Sequence, residues 1–331
     1  MRVRRHYATT VVLGAALLVL AGCGSGEGGQ QATAGDATGG GAFPRAVTHA
    51  MGEAEIPAQP KTIVALDNSF IDAAYSLQTP VAGFTTFDGS KELPGYLVEE
   101  FPDLAAQARY VGTLKEPNLE RIAAMQPDLI ISAKVRHEQI YDELSRIAPT
   151  VFSETTGATW KDNLRLLAES TGKQDRAQQR LADYERRAQA IGDAIREKVG
   201  HNPTISIVRF VGSGPMRMYY KSSFAGVVLQ DAGLARPPSQ DVSDPEKIMT
   251  EVSEERILDA DADHIFMTVY NDPSGAAEQD SQRFRGNPLW GQLTGEVHEV
   301  SDTAWMTAVG LQGAHLILDD LAKAFDVDPA R

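Results

Sequence analysis

Short apolar runs closed off by Pro, Asp and Gly recur through the first half of the chain. They lie at residues 62–66 (TIVAL), 81–84 (VAGF), 128–131 (DLII) and 150–152 (TVF), and each predicts a buried strand. Between them, residues 69–77 and 138–147 place apolar side chains every three or four positions, which predicts helices. Strand and helix alternate, so the pattern predicts α/β units. Residues 161–199 contain no proline and are rich in Ala, Leu, Arg, Glu and Gln, with one interruption at Thr171-Gly172. From Gln174 to Val199 the apolar positions Ala177, Leu181, Tyr184, Ala188, Ile191 and Ile195 keep one helical face. A single helix there spans about 39 Å at ~1.5 Å per residue. Beyond Pro203 the alternation resumes: strands at 204–208, 264–269 and 297–300, a helix around 226–232, and an amphipathic helix over 311–325.

An internal repeat supports two similar halves. Residues 118–130 and 253–265 align without a gap and share Glu120/Glu255, Arg121/Arg256, Ile122/Ile257, Asp128/Asp263 and Ile130/Ile265. Asn118 and Ser253 suit the N-cap position, each glutamate falls in the first helical turn, and each segment runs into a strand. A carboxylate there complements the helix dipole, by ~0.3–1 kcal/mol. Two acids in matching places on two lobes also offer a partner two fixed points for arginines.

The ends change the picture. Residues 1–22 combine a basic start with an apolar run from Val11 to Leu20, the pattern of a secretory signal peptide. That run is too short for a membrane span, which needs roughly 20 apolar residues. Leu20-Ala21-Gly22-Cys23 resembles the lipobox of bacterial lipoproteins, which makes Cys23 a lipid anchor on the extracytoplasmic face of the cell membrane. Cys23 is the chain's one cysteine, so disulfides, iron–sulfur clusters and thiol catalysis have no residue to use. Residues 23–42 are too poor in apolar side chains to fold and read as a tether. Residues 43–172 then form an N-terminal α/β lobe, 173–200 a linking helix and 201–331 a C-terminal α/β lobe. Loss of residues 1–22 removes Arg2, Arg4 and Arg5 and no acid, which moves the formal charge from −14 to −17. Such an acidic chain is unsuited to nucleic acid.

Further segments resemble the siderophore-binding (FecB/FhuD-like) branch of the periplasmic binding proteins. They include Ile56-Pro57-Ala58-Gln59-Pro60-Lys61, Val111-Gly112-Thr113, Pro117-Asn-Leu-Glu120, Lys134-Val-Arg-His137, Ala158-Thr-Trp160, Val208-Arg-Phe210, Gly286-Asn-Pro-Leu-Trp290 and Leu318-Asp-Asp-Leu321, in family order. The resemblance implies a class III substrate-binding fold, two α/β lobes on one long backbone helix, with ligand held between them. It implies a monomer that takes a ferric siderophore, uses no cofactor, and docks through Glu120 and Glu255 onto an ABC permease with its ATPase. Glu254 is the alternative to Glu255. Lys134-Val-Arg-His137 and Val208-Arg-Phe210 resemble binders of ferric hydroxamates such as ferrioxamines, while Tyr219-Tyr220-Lys221 departs from the glycine the family places after the first tyrosine.

Three bidentate hydroxamates fill the six positions around ferric iron, so the protein need supply donors and apolar walls rather than metal ligands. Arg136 and Arg209 lie near strand C-termini, where open α/β sheets bind ligands, and offer charged donors. Trp160 at the opening of the spine helix, Tyr219 at a strand end and Trp305 before the last helix offer aromatic walls. Core packing is the competing role for both tryptophans. His49, His137, His264, His298 and His315 are scattered along the sequence, which argues against a metal site, and His137-Glu138 reads as helix surface. No nucleophile elbow or complete phosphate loop is present, Gly212-Ser-Gly214 lacks a dinucleotide fingerprint, and Asp319-Asp320 reads as a solvated helix face, so the chain reads as no enzyme. The alternatives are a cobalamin or haem carrier on the same scaffold and, less in keeping with the residues, a secreted siderophore-processing enzyme.

Overall fold

The computed structural model describes residues 42–87, 90–244 and 246–331; the signal peptide, Cys23 and nearly all of the tether lie outside the described residues. The folded chain begins with a hairpin, Arg45–His49 (β1) against Gly52–Ile56 (β2). Five strands follow: Ile63–Ala65 (β3), Val81–Thr86 (β4), Arg109–Thr113 (β5), Leu129–Ala133 (β6) and Thr150–Ser153 (β7). They form one parallel sheet in the order β5-β4-β3-β6-β7. Val64 and Ile130 point to one apolar cluster while Ile63, Ala65, Leu129 and Ile131 point to another, so both faces are covered. That explains why these strands read as unbroken apolar runs.

The second lobe repeats the plan with Ile205–Phe210 (β8), Met216–Tyr219 (β9), Met249–Val252 (β10), His264–Val269 (β11) and Glu296–Glu299 (β12). Its order, β10-β9-β8-β11-β12, matches the first sheet position for position. One strand differs: β9 runs antiparallel to both neighbours. A parallel return needs a crossover of about a dozen residues. In the first lobe the helix Asn68–Ser76 provides it between β3 and β4, whereas residues 211–215 only turn, with Gly212 and Gly214 at φ of +78° and +97°. The glycines that fail as a dinucleotide fingerprint thus build a hairpin.

The helix Gln174–Val199 joins the lobes, and all six of its predicted stripe residues are buried. Trp160 does not open this spine. It begins a separate helix, Trp160–Thr171, which ends where Gly172 adopts the left-handed conformation at φ +73°. The last helix, Leu311–Ala324, follows the second sheet in sequence but packs on the spine and on Asn68–Ser76 of the first lobe. The helix is amphipathic as predicted, but its Asp319-Asp320 pair is not a solvated face. Asp319 pairs with Arg187 of the spine at 2.5 Å, and Asp320 accepts from the Trp305 indole at 2.8 Å. One apolar cluster consequently runs from the first sheet through the spine to the second.

Candidate functional site

Strand ends decide where the lobes face each other. Asn68 follows β3, Thr86 and Phe87 end β4, Val269 and Tyr270 end β11, and Asp302 follows β12; all line one cavity of about 380 Å³ between the lobes. This is the position outside the carboxyl ends of strands where α/β sheets bind ligands. Phe87, half exposed, and Tyr270 present aromatic surface to it. Glu92 and Asp302 bring carboxylates, and no lysine or arginine is found among its described lining residues.

Neither candidate arginine is among the lining residues, and each is held by an acid that the sequence reading missed: Arg209 stands behind Asp302, while Arg136 is exposed beside Asp67, the residue before Asn68. Arg136 Nε donates to Asp67 Oδ2 at 3.0 Å and Nη2 to Thr156 Oγ1 at 3.1 Å. Asp67 also caps the helix at Asn68–Ser76 by accepting from Ser69 N, which fixes the pair to the cleft edge. Arg209 makes a two-pronged contact with Asp302, at 2.6 and 2.8 Å, and donates to the Tyr219 hydroxyl at 3.3 Å. The Arg209 and Asp302 side chains are only 9% and 8% exposed, and the guanidinium lies 5.4 Å from the Tyr270 ring centre. Burial opposes the charged guanidinium, but Asp302 and Tyr219 outweigh it and hold its pKa above the usual arginine value. Each lobe therefore presents a neutralised Arg–Asp pair, not a bare cation.

His137 is not helix surface. It is buried, with Nε2 2.7 Å from Leu114 O and Nδ1 2.7 Å from Ser132 Oγ. A carbonyl only accepts, so Nε2 carries the proton and Nδ1 accepts from the serine. Burial lowers the His137 pKa, which keeps the ring neutral, and its two bonds lock the turn bearing Arg136.

Both tryptophans leave the ligand-facing set. Trp160 is 1% exposed and packs edge-on against Tyr184 of the spine and Phe224. Trp305 is fully buried, stacked on Phe266 at 4.7 Å. Phe87 and Tyr270 take the place assigned to them; an aromatic immediately after a strand end was the available signal. Tyr219 is buried and touches the site only through Arg209.

The repeat carries Glu120 and Glu255 to matching positions. Each follows the first strand of its sheet order, β5 or β10, at the carboxyl end facing the cleft side, and each is exposed. Asn118 caps its helix by accepting from Arg121 N at 2.8 Å. Ser253 does not cap; its hydroxyl bonds to Glu255, holding that carboxyl below its usual pKa, and the segment is a 3₁₀ helix. Glu254 is occupied by Arg283 at 2.8 Å and Asn287 at 3.2 Å, which leaves Glu255 as the outward acid. The repeated aspartates are structural: Asp128 accepts from Lys61 N and Thr62 N, and Asp263 from Thr204 N and Oγ1. One histidine reading is overturned, because the parallel register of β11 and β12 brings His264 and His298 to 3.0 Å.

Comparison with known proteins agrees with this architecture. The family described as periplasmic binding protein matches residues 63–295. The probable siderophore-binding lipoprotein YfiY of Bacillus subtilis (strain 168) is 36% identical over 334 residues, covering 97% of this chain and 98% of its own. The Fe(3+)-citrate-binding protein YfmC of the same organism is 26% identical over 319 residues, 94% of each chain. Staphylococcus aureus SirA, solved in complex with staphyloferrin B, superposes with a TM-score of 0.77 at 30% identity, over 86% of this chain and 99% of SirA. The chain belongs to the periplasmic binding protein family, and it is a substrate-binding protein rather than an enzyme.

Proposed function

We propose that this protein captures a ferric siderophore in the cleft between its lobes and delivers it to an ABC permease, while Cys23 anchors it by lipid to the extracytoplasmic face of the membrane. Glu120 and Glu255 are the docking acids in this reading, one per lobe, at equivalent places beside the cleft. Relatives named for siderophores and ferric citrate support the ligand class. The observation that carries the finer assignment is the charge of the cleft. Its described lining has no base; Asp302 is cancelled by Arg209 behind it and Arg136 by Asp67, which leaves the Glu92 carboxylate as the net charge of the lining.

Three singly charged hydroxamates cancel the charge of ferric iron, whereas three catecholates leave a trianion that this lining repels. A neutral or amine-tailed hydroxamate complex fits it, with its methylene links against Phe87 and Tyr270. Calorimetric titration with ferrioxamine B, a ferric tris-catecholate, ferric citrate, haem, cobalamin and ferric ion tests the reading. Submicromolar affinity for ferrioxamine B, at least about tenfold tighter than for the tris-catecholate, is the expected outcome. Tighter binding of the catecholate or of citrate removes the hydroxamate assignment, and saturable binding of ferric ion alone removes the siderophore reading.

A further inference from the structure

His264 opens β11, and the register pairs it with Glu296 and pairs Phe266 with His298 on the neighbouring strand. Side chains two apart on a strand share a face, so all four lie on the same side of the sheet. His264 Nδ1 is 3.0 Å from His298 Nε2. The Glu296 carboxylate lies 4.0 Å from His264 Nδ1 and 3.9 Å from His298 Nδ1, and one ligand atom from each of the three falls within 4.8 Å of the others. The rings are wedged in place. His264 leans on Phe325 at 4.2 Å, and His298 stacks on Phe266 at 4.8 Å. Their side chains are largely buried while Glu296 is exposed, giving two fixed imidazoles and one movable carboxylate.

We propose that His264, His298 and Glu296 form a binding site for a divalent transition cation of the zinc class, at the end of the second sheet away from the cleft. A tetrahedral zinc ion with Zn–N bonds of ~2.0–2.1 Å holds two ring nitrogens about 3.3 Å apart. The observed spacing is within a few tenths of an ångström of that. The carboxylate lies 4.0 Å from His264 Nδ1 and within 4.8 Å of the ligating nitrogen of His298, so it has to close by up to about 1.5 Å, which its exposure permits, and a water completes the shell. Without an ion, the same contact is a hydrogen bond in which one ring donates to the other; the cation takes the place of that proton, which moves to the donor ring's other nitrogen so that both imidazoles stay neutral. Two imidazoles and a carboxylate suit zinc, nickel or copper and offer nothing to ferric iron already enclosed by six siderophore oxygens. The site also lies at the opposite end of β11 from Val269, which lines the cleft, about 17 Å away at ~3.3 Å per residue. A bound ion would tie the edge strand β12 to β11.

Titration of the untagged full chain with zinc chloride by calorimetry tests the site, with ferrioxamine B binding measured in parallel. One zinc per chain at micromolar affinity or tighter, a melting temperature raised by zinc and restored by EDTA, and unchanged ferrioxamine affinity are expected. His298→Asn should weaken zinc binding at least about 30-fold and Glu296→Gln about tenfold, each with wild-type circular dichroism. Absence of stoichiometric binding in the wild type, or zinc affinity unaltered in folded His298→Asn, overturns the proposal. If the histidine variant does not fold, the exposed Glu296→Gln decides, and unchanged affinity there overturns it equally.

Discussion

Asp72 is a buried carboxylate that joins the first lobe to the last helix, and its titration makes a measurable demand. It sits on the helix Asn68–Ser76, fully enclosed, and accepts from Gln312 N at 3.0 Å, Gly313 N at 3.2 Å and the Tyr96 hydroxyl at 3.2 Å. Gly310 lets it approach, since a Cβ there would lie 2.3 Å from the Asp72 carboxyl carbon. Burial dominates over these hydrogen bonds and pushes the carboxyl from 3.8 up to about 6. The folded protein thus holds the proton more tightly than the unfolded chain does. Stability from this group is fully present below pH 3.8 and is lost as pH rises through about 6. At ~1.36 kcal/mol per pH unit, the loss amounts to about 3 kcal/mol. Asp72→Asn removes the titration while keeping an oxygen for the helix terminus; its lost second acceptor adds a pH-independent cost of ~1 kcal/mol. Urea unfolding followed by circular dichroism from pH 4 to pH 8, on both proteins, isolates the effect because all other groups cancel in the difference. Relative to Asp72→Asn, the wild type should lose about 2 of those ~3 kcal/mol between pH 4 and pH 7, because the unfolded carboxyl is already partly ionised at pH 4. A flat difference, or one that grows in favour of the wild type with rising pH, would refute the burial argument.

Two further outcomes follow from the cleft and its rim. Asp302→Ala strands the buried Arg209 charge and should cost ~3–5 kcal/mol in urea unfolding, while Asp302→Leu with Arg209→Met should recover most of it; a double variant no more stable than the single one contradicts the assignment of a buried pair. Glu120→Ala with Glu255→Ala should leave ligand affinity within about twofold of wild type and abolish siderophore-dependent uptake in cells, and lost affinity in the purified variant would place these acids in the cleft or the fold instead.

Local pattern was enough for most of the frame. The runs at 62–66, 128–131 and 264–269 are apolar on both faces because both faces are covered, and β3, β6 and β11 lie there. The spine helix runs over the predicted residues because its buried stripe repeats at the helical period. Strands β5 and β10 were not legible: each is an edge strand with partly exposed, polar-containing sequence, so no apolar run marks it.

The candidate site, a set of proposed residues, was legible by half. Arg136 and Arg209 were visible from their place beside strand ends, and the repeat singled out Glu120 and Glu255. What neighbours those residues was not. Asp67 and Arg136 are 69 residues apart, Arg209 and Asp302 93, and His264 and His298 34. Sequence alone determined the two-lobed α/β plan, the helical spine and the repeated acids, since these follow from local periodicity and capping. Tertiary structure alone decided that the arginines are neutralised, that Trp160 and Trp305 are core rather than cleft, and that two distant histidines meet. Those outcomes depend on strand order and register, which are set by the packing of the whole chain and leave no mark on any one segment.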